Sequence, residues 1–122
     1  MFELKVVNHF AAAHQLRMVA KKCENLHGHN WKVEVYIAGE KLNQAGVVMD
    51  FGEIKTALSD IIKTLDHRFL NDLDCFQNGN PSSENIAKYI ADAMQEKISQ
   101  PGIRVSRVRT WESEDASATY IP

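Results

Sequence analysis

Apolar and polar residues alternate in two stretches near the start of the chain. Phe2, Leu4 and Val6 are separated by Glu3 and Lys5, and Trp31, Val33, Val35 and Ile37 alternate with Lys32, Glu34, Tyr36 and Ala38. A period of two predicts half-buried antiparallel strands. Gly39 ends the second, residues 40–46 read as a turn, and Val47-Val48-Met49 reads as a short third strand. The period then changes. Phe51, Ile54, Leu58, Ile61 and Leu65 recur at spacings of three and four, which lines one face of a helix. Asp50 and Glu53 have the spacing of a capping box, with Asp as the cap. A polar stretch over 71–80 leads to Pro81, after which Ser82 or Ser83 opens a second helix with Ile86, Ile90, Ala93, Met94 and Ile98 inward. Pro101-Gly102 closes it, and strands over 103–111 and 116–121 follow, joined by residues 112–115.

The order β-β-α-α-β-β segregates strands from helices. It predicts an α+β fold, with a four-stranded antiparallel sheet carrying two helices on one face. Such a sheet leaves its edges open. Joining sheets of several subunits into a barrel closes them.

Composition narrows the function. The 122 residues suit one domain spanning 1–122, long enough to bury roughly two thirds of its unfolded surface. A net charge of −2, from 14 basic and 16 acidic side chains without a basic block, argues against a nucleic-acid partner. No apolar run is long enough for a membrane helix, and the start Met1-Phe2-Glu3-Leu4-Lys5 is unlike a signal peptide. Two cysteines make no disulfide framework, so a reducing cytoplasm is expected.

The strongest chemical signal is Cys23-Glu24-Asn25-Leu26-His27-Gly28-His29. Residues two apart on a strand share a face, so His27 and His29 can meet one ion. If the first two strands form a hairpin, His14 faces them from the end of the first. Three imidazoles with an open fourth position form the ligand set of a catalytic zinc. A rival is a closed structural site with Cys23 as fourth ligand, although a domain with this much core needs no metal staple. Cys23 is also the candidate nucleophile or base, a role that requires a thiolate. Asp66-His67 is a candidate partner, because a carboxylate orients a neighbouring imidazole; alternatively it is a helix C-terminus. Glu112 can accept two N–H bonds from an amidine-like ring edge, as in a pterin or guanine, or be a solvated strand end. Cys75 reads as an ordinary thiol, and His9 has no assigned part.

Together these segments resemble a known family. His14, Cys23-x-x-x-His27-Gly28-His29, Met49-Asp50-Phe51, Leu65-Asp66-His67, Pro81-Ser82-Ser83-Glu84-Asn85 and Trp111-Glu112 occur in the order of the 6-pyruvoyl-tetrahydropterin synthase superfamily. The cysteine spacing is similar to that of 6-carboxytetrahydropterin synthases of queuosine biosynthesis. The resemblance implies the tunnelling fold, with sheets closed into a barrel and sites between subunits of a homohexamer built as a dimer of trimers. It implies zinc on His14, His27 and His29. Cys23 becomes the catalytic proton acceptor, with Asp66 and His67 as relay. Glu112 anchors the pterin, and the backbone at Ser82 and Ser83 touches the ring edge. The implied substrate is a pterin triphosphate. Glu24 leaves a folate-type cleavage activity open. Readings from other classes are a zinc-stabilised binding module and a metal-free enzyme like dihydroneopterin aldolase.

Overall fold

A computed structural model of the chain describes residues 1–17 and 26–122. Strands β1 (Phe2–His14) and β2 (His27–Gly39) pair antiparallel over their whole length, from Phe2 opposite Gly39 to His14 opposite His27. Helix α1 (Phe51–Ile62) follows, then a two-residue strand β3 (Arg68–Phe69), helix α2 (Ser83–Lys97), and strands β4 (Ile103–Ser113) and β5 (Ala116–Tyr120). The sheet order is β3-β1-β2-β4-β5. The fold is α+β as expected, with both helices packed on one face of the sheet.

The inward face is where the alternation placed it. Val6 and Phe10 of β1, Trp31, Val33, Val35 and Ile37 of β2, and Val105 and Val108 of β4 are all buried. They pack with Ile54, Leu58 and Ile61 of α1 and Ile86, Ile90 and Met94 of α2 in one core. Both helix starts follow from capping. The Gly52 N–H donates to Asp50 Oδ1, and the Asn85 N–H donates to Ser82 Oγ.

Four expectations need correction. The sheet has five strands and is mixed, because β3 pairs parallel to β1 at Ala12 and Ala13; two residues carry no readable period. Residues 47–49 form a bend rather than a strand. Asn43 Oδ1 accepts the N–H groups of Ala45 and Val47, and Val47 O accepts the Asn43 N–H, so the turn consumes the groups a ladder would need. Val48 and Met49 are apolar because they enter the core. Phe51, at the first residue of α1, is exposed, whereas Leu65 is buried beyond the helix end. Finally, Glu112 belongs to β4, and the turn into β5 is shorter than expected. Between Trp111 and Ser113 the β4–β5 register shifts, so Glu112 sits on a bulge.

The face away from the helices is exposed at Lys5, Val7 and Lys32 and covered around Glu34 and Tyr36. Glu34 lies there with its side chain only 7% exposed. It accepts a hydrogen bond from Trp111 Nε1, and Lys5 Nζ is 3.4 Å away. Arg107 stacks 4.0 Å above the Tyr36 ring and pairs with Glu3 at 3.0 Å. Burial is the largest influence on the Glu34 carboxyl and pushes its pKa up, but the bonds from Trp111 and Lys5 outweigh it, and the net shift is downward. A carboxyl lowered on folding stabilises the fold above its unfolded pKa, and that contribution is lost as pH falls through the folded pKa. Glu34→Leu also strands the indole N–H. It should cost about 1–3 kcal/mol by denaturant unfolding at neutral pH, with Glu34→Gln costing less. The difference between wild type and Glu34→Gln should shrink in acid.

Candidate metal centre

The β1–β2 register delivers three histidines to one place. His14 lies opposite His27, and His29 lies opposite Ala12 on the same inward face. β4 runs beside β2, and its inward residues continue from Val108 and Thr110 to Glu112. A bulge against β5 falls at the last of these, and bulges often lie beside functional sites. One ligand atom from each of His14, His27, His29 and Glu112 lies within 4.8 Å of all the others. His14 Nε2 is 2.9 Å from His27 Nε2 and 3.0 Å from Glu112 Oε1. The same oxygen is 2.9 Å from His29 Nε2 and 3.6 Å from His27 Nε2. Trp31 forms the floor, its ring edge-on to both His14 and His29.

The protonation states follow from the partners. His14, 1% exposed, has Nδ1 placed 2.8 Å from the carbonyl oxygen of Pro81. A carbonyl only accepts, so Nδ1 carries a proton, and in the neutral form of the ring the lone pair lies on Nε2, on the side of the cluster. That lone pair then faces a carboxylate oxygen. His29 Nε2 is buried, and despite its closeness to Glu112 it finds no aligned hydrogen bond. Burial pushes the His29 imidazole below its usual pKa; the Glu112 charge opposes this, while His27 and His14 add to the lowering. Four donor atoms therefore converge on one point, an arrangement that a bound cation would hold together. Ligand atoms around a four-coordinate ion at ~2.0–2.1 Å stand about 3.3 Å apart, close to the spacings above. The donor set fits a divalent metal.

The other sequence candidates fall around this cluster. Asp66 and His67 lie on the outer side of β1, where β3 begins. Asp66 Oδ1 accepts the Ala11 N–H at 2.9 Å, and its Oδ2 is 3.0 Å from His67 Nδ1. The Ala11 bond leads the influences that lower the Asp66 carboxyl below its usual pKa. The His67 side chain is 82% exposed, and its backbone adopts a left-handed φ of 58°. The pair is not among the converging donors, but His67 and His29 share the wall of an open cavity of about 470 Å³ floored by Ala11, Ala13 and Gly28. Ser82 caps α2, and the Ser83 carbonyl accepts a hydrogen bond from Thr110 Oγ1. His9 faces the opposite side of the sheet, in a cavity of about 660 Å³ with Asn30, Lys32 and Trp111. Cys75 is exposed on the surface, away from the cluster. Cys23 and Glu24 lie outside the described residues. The sequence reading missed the Pro81 carbonyl and Glu112's place beside the imidazoles; inward parity with Thr110 is the only sequence signal for the latter.

A sequence model of the family described as 6-pyruvoyl tetrahydropterin synthase matches residues 3–122. The chain is 38% identical over 117 residues to the 6-carboxy-5,6,7,8-tetrahydropterin synthase of Synechocystis, covering 92% of this chain and 87% of that protein. It is 36% identical over 107 residues to the dihydroneopterin monophosphate aldolase of Pyrococcus furiosus, covering 87% and 85%. The structure of the Caenorhabditis elegans 6-pyruvoyl tetrahydropterin synthase superposes with a TM-score of 0.88 at 28% identity, covering 99% of this chain and 95% of that one.

His27→Ala should remove most bound metal on dialysis, measured by elemental analysis, with little loss of helical signal. Metal binding requires neutral imidazoles, and His29 is biased toward the neutral form. Affinity should therefore hold near neutral pH and fall in acid, with protons released on binding. A pH-independent affinity would contradict this ligand set.

Proposed function

The chain belongs to the 6-pyruvoyl tetrahydropterin synthase family, and on that premise we propose that it is a zinc-dependent 6-carboxy-5,6,7,8-tetrahydropterin synthase. It converts 7,8-dihydroneopterin triphosphate and one water to 6-carboxytetrahydropterin, acetaldehyde and triphosphate, the water supplying the second carboxyl oxygen, in queuosine biosynthesis in the cytoplasm. The observation that carries this reading is the convergence of His14, His27, His29 and Glu112. The Synechocystis relative and the spacing of Cys23 from His27 favour the carboxy branch.

Zinc bound by the three imidazoles supplies Lewis acidity toward the substrate's side-chain hydroxyls. The protein's own groups do the rest. The Cys23 thiolate removes a proton from the side-chain carbon next to the ring. The Asp66–His67 pair carries protons between side chain and ring; Asp66 holds the His67 Nδ1 edge, leaving Nε2 to exchange them. Reprotonation of the ring makes the redox change internal, with no external reductant. Glu112 accepts N–H bonds from the pterin edge, and the backbone at Ser82 and Ser83 borders it. The carboxylate's position beside the imidazoles supports a ring held next to the metal.

The working unit is a homohexamer, a dimer of trimers, with sheets joined into a barrel. β1 supports this, because among the described residues its outer edge is bonded only from Ala11 to Ala13, which leaves the rest for another chain to pair with.

A second reading has one finding in its favour. The aldolase relative from Pyrococcus furiosus supports a carbon–carbon cleavage at the same site, with Glu24 as its candidate base. The pyruvoyl synthase reaction is the third outcome. Mass analysis after incubation of the zinc-loaded protein with 7,8-dihydroneopterin triphosphate separates them. We expect 6-carboxytetrahydropterin and acetaldehyde; a 6-pyruvoyl or hydroxymethyl pterin would move the protein to another branch. Cys23→Ala should abolish turnover and keep the zinc. Loss of the zinc instead would favour the closed four-ligand site and a binding module without turnover.

A further inference from the structure

Beyond His14 the chain leaves the sheet, yet residues 15–17 remain extended and fully bonded at alternate positions. The Gln15 N–H donates to Asn71 Oδ1 at 2.8 Å, and Asn71 Nδ2 donates to the Gln15 carbonyl at 2.7 Å. Two residues on, the Arg17 N–H donates to Asn80 Oδ1 at 2.7 Å, and Asn80 Nδ2 donates to the Arg17 carbonyl at 2.6 Å. Each side-chain amide offers one donor and one acceptor, the same pair a backbone residue offers in a sheet. The pattern continues a series along the outer edge of β1. At Ala11 the N–H goes to Asp66 Oδ1, and the carbonyl accepts the His67 N–H. At Ala12 and Ala13 the partner is β3. Asp66, β3, Asn71 and Asn80 thus form a discontinuous strand that seals residues 11–17.

The Asn80 end of this strand reaches the metal centre. Asn80 is followed by Pro81, whose carbonyl fixes the His14 tautomer and ring. The peptide between them is held on its other side as well, because Asn85 Nδ2 in the first turn of α2 donates to the Asn80 carbonyl at 2.8 Å. Asn80 therefore ties the backbone just after His14 to the carbonyl that orients the His14 imidazole. Asn71 holds the residue next to His14 in the same way, and is steadied by Gln77 Nε2 donating to its carbonyl at 2.9 Å.

We propose that Asn80, assisted by Asn71, is a positioning residue for the metal centre: its side-chain amide sets the distance between the end of β1 and the Pro81 carbonyl, and so holds His14 Nε2 among the converging donor atoms. The inference rests on the metal reading of the cluster. Loss of an outer partner to a metal-ligating histidine weakens binding by about 10–100-fold.

The test is zinc affinity by chelator competition, together with the visible spectrum of the cobalt(II) form, which reports ligand geometry. Asn80→Ala should weaken zinc about tenfold and shift the cobalt bands. Asn80→Asp keeps the acceptor for the Arg17 N–H and loses the donor, so it should fall between alanine and wild type. It also carries the test if the alanine variant does not fold. Gln95→Ala is the control for a merely structural effect. Gln95 bridges the end of α2 to Val105 of β4, remote from the cluster, and its loss should lower the melting temperature and leave zinc affinity unchanged. Wild-type affinity and an unshifted cobalt spectrum in folded Asn80 variants would overturn the inference while leaving the metal reading intact. A wild-type protein that takes up no zinc would overturn both.

Discussion

The antiparallel register that sets His14 opposite His27 is the constraint on which the rest depends. A sheet has a side-chain period of two, so a slip of one residue in either strand would send its histidines to the opposite face. The register is pinned by buried pairs, Val6 against Val35 and, next to the site, Phe10 stacked on Trp31. The hydrophobic core thus aims the three imidazoles. Trp31 belongs to both, since it packs on Phe10 and forms the floor under His14 and His29.

Around this pair the structure gathers groups from distant parts of the chain. Glu112 arrives on the β4 bulge, and the Pro81 carbonyl on the turn that starts α2. Both are fixed by elements that also close the core. Thr110, two residues before Glu112, is fully buried and donates to the Ser83 carbonyl in the first turn of α2. The strand that carries the carboxylate and the helix start that carries the His14 acceptor are therefore bonded to each other. A metal site needs this supporting shell, because imidazoles free to rotate would spend little time converged.

Much of this was legible in the sequence, and the limits have physical causes. The His-Gly-His spacing put two imidazoles on one face, and the hairpin expected of the two long strands brought His14 opposite them. The caps at Asp50 and Ser82 marked the helix starts because capping is local chemistry between neighbouring residues. What escaped notice depends on contacts with no period. β3 has two residues and draws its pairing from the neighbouring strand. Val47-Val48-Met49 looked like a strand because its apolar residues enter the core, while the Asn43 side chain took the backbone groups. The amides of Asn71 and Asn80 meet backbone 56 and 63 residues away in sequence. Glu112 was legible as a functional carboxylate, but its place among the imidazoles depends on the pairing of β4 with β2, which no local pattern reveals.

The central claim is that the three imidazole nitrogens hold one divalent ion and leave a position open, with the Glu112 carboxylate beside it. X-ray absorption at the zinc edge of the purified protein tests it most directly. The account predicts a first shell of nitrogen and oxygen only, at ~2.0–2.1 Å, with the outer-shell scattering of imidazole rings. A sulfur scatterer at ~2.3 Å would place Cys23 in the coordination sphere and contradict the account, as would a protein that carries no zinc at all.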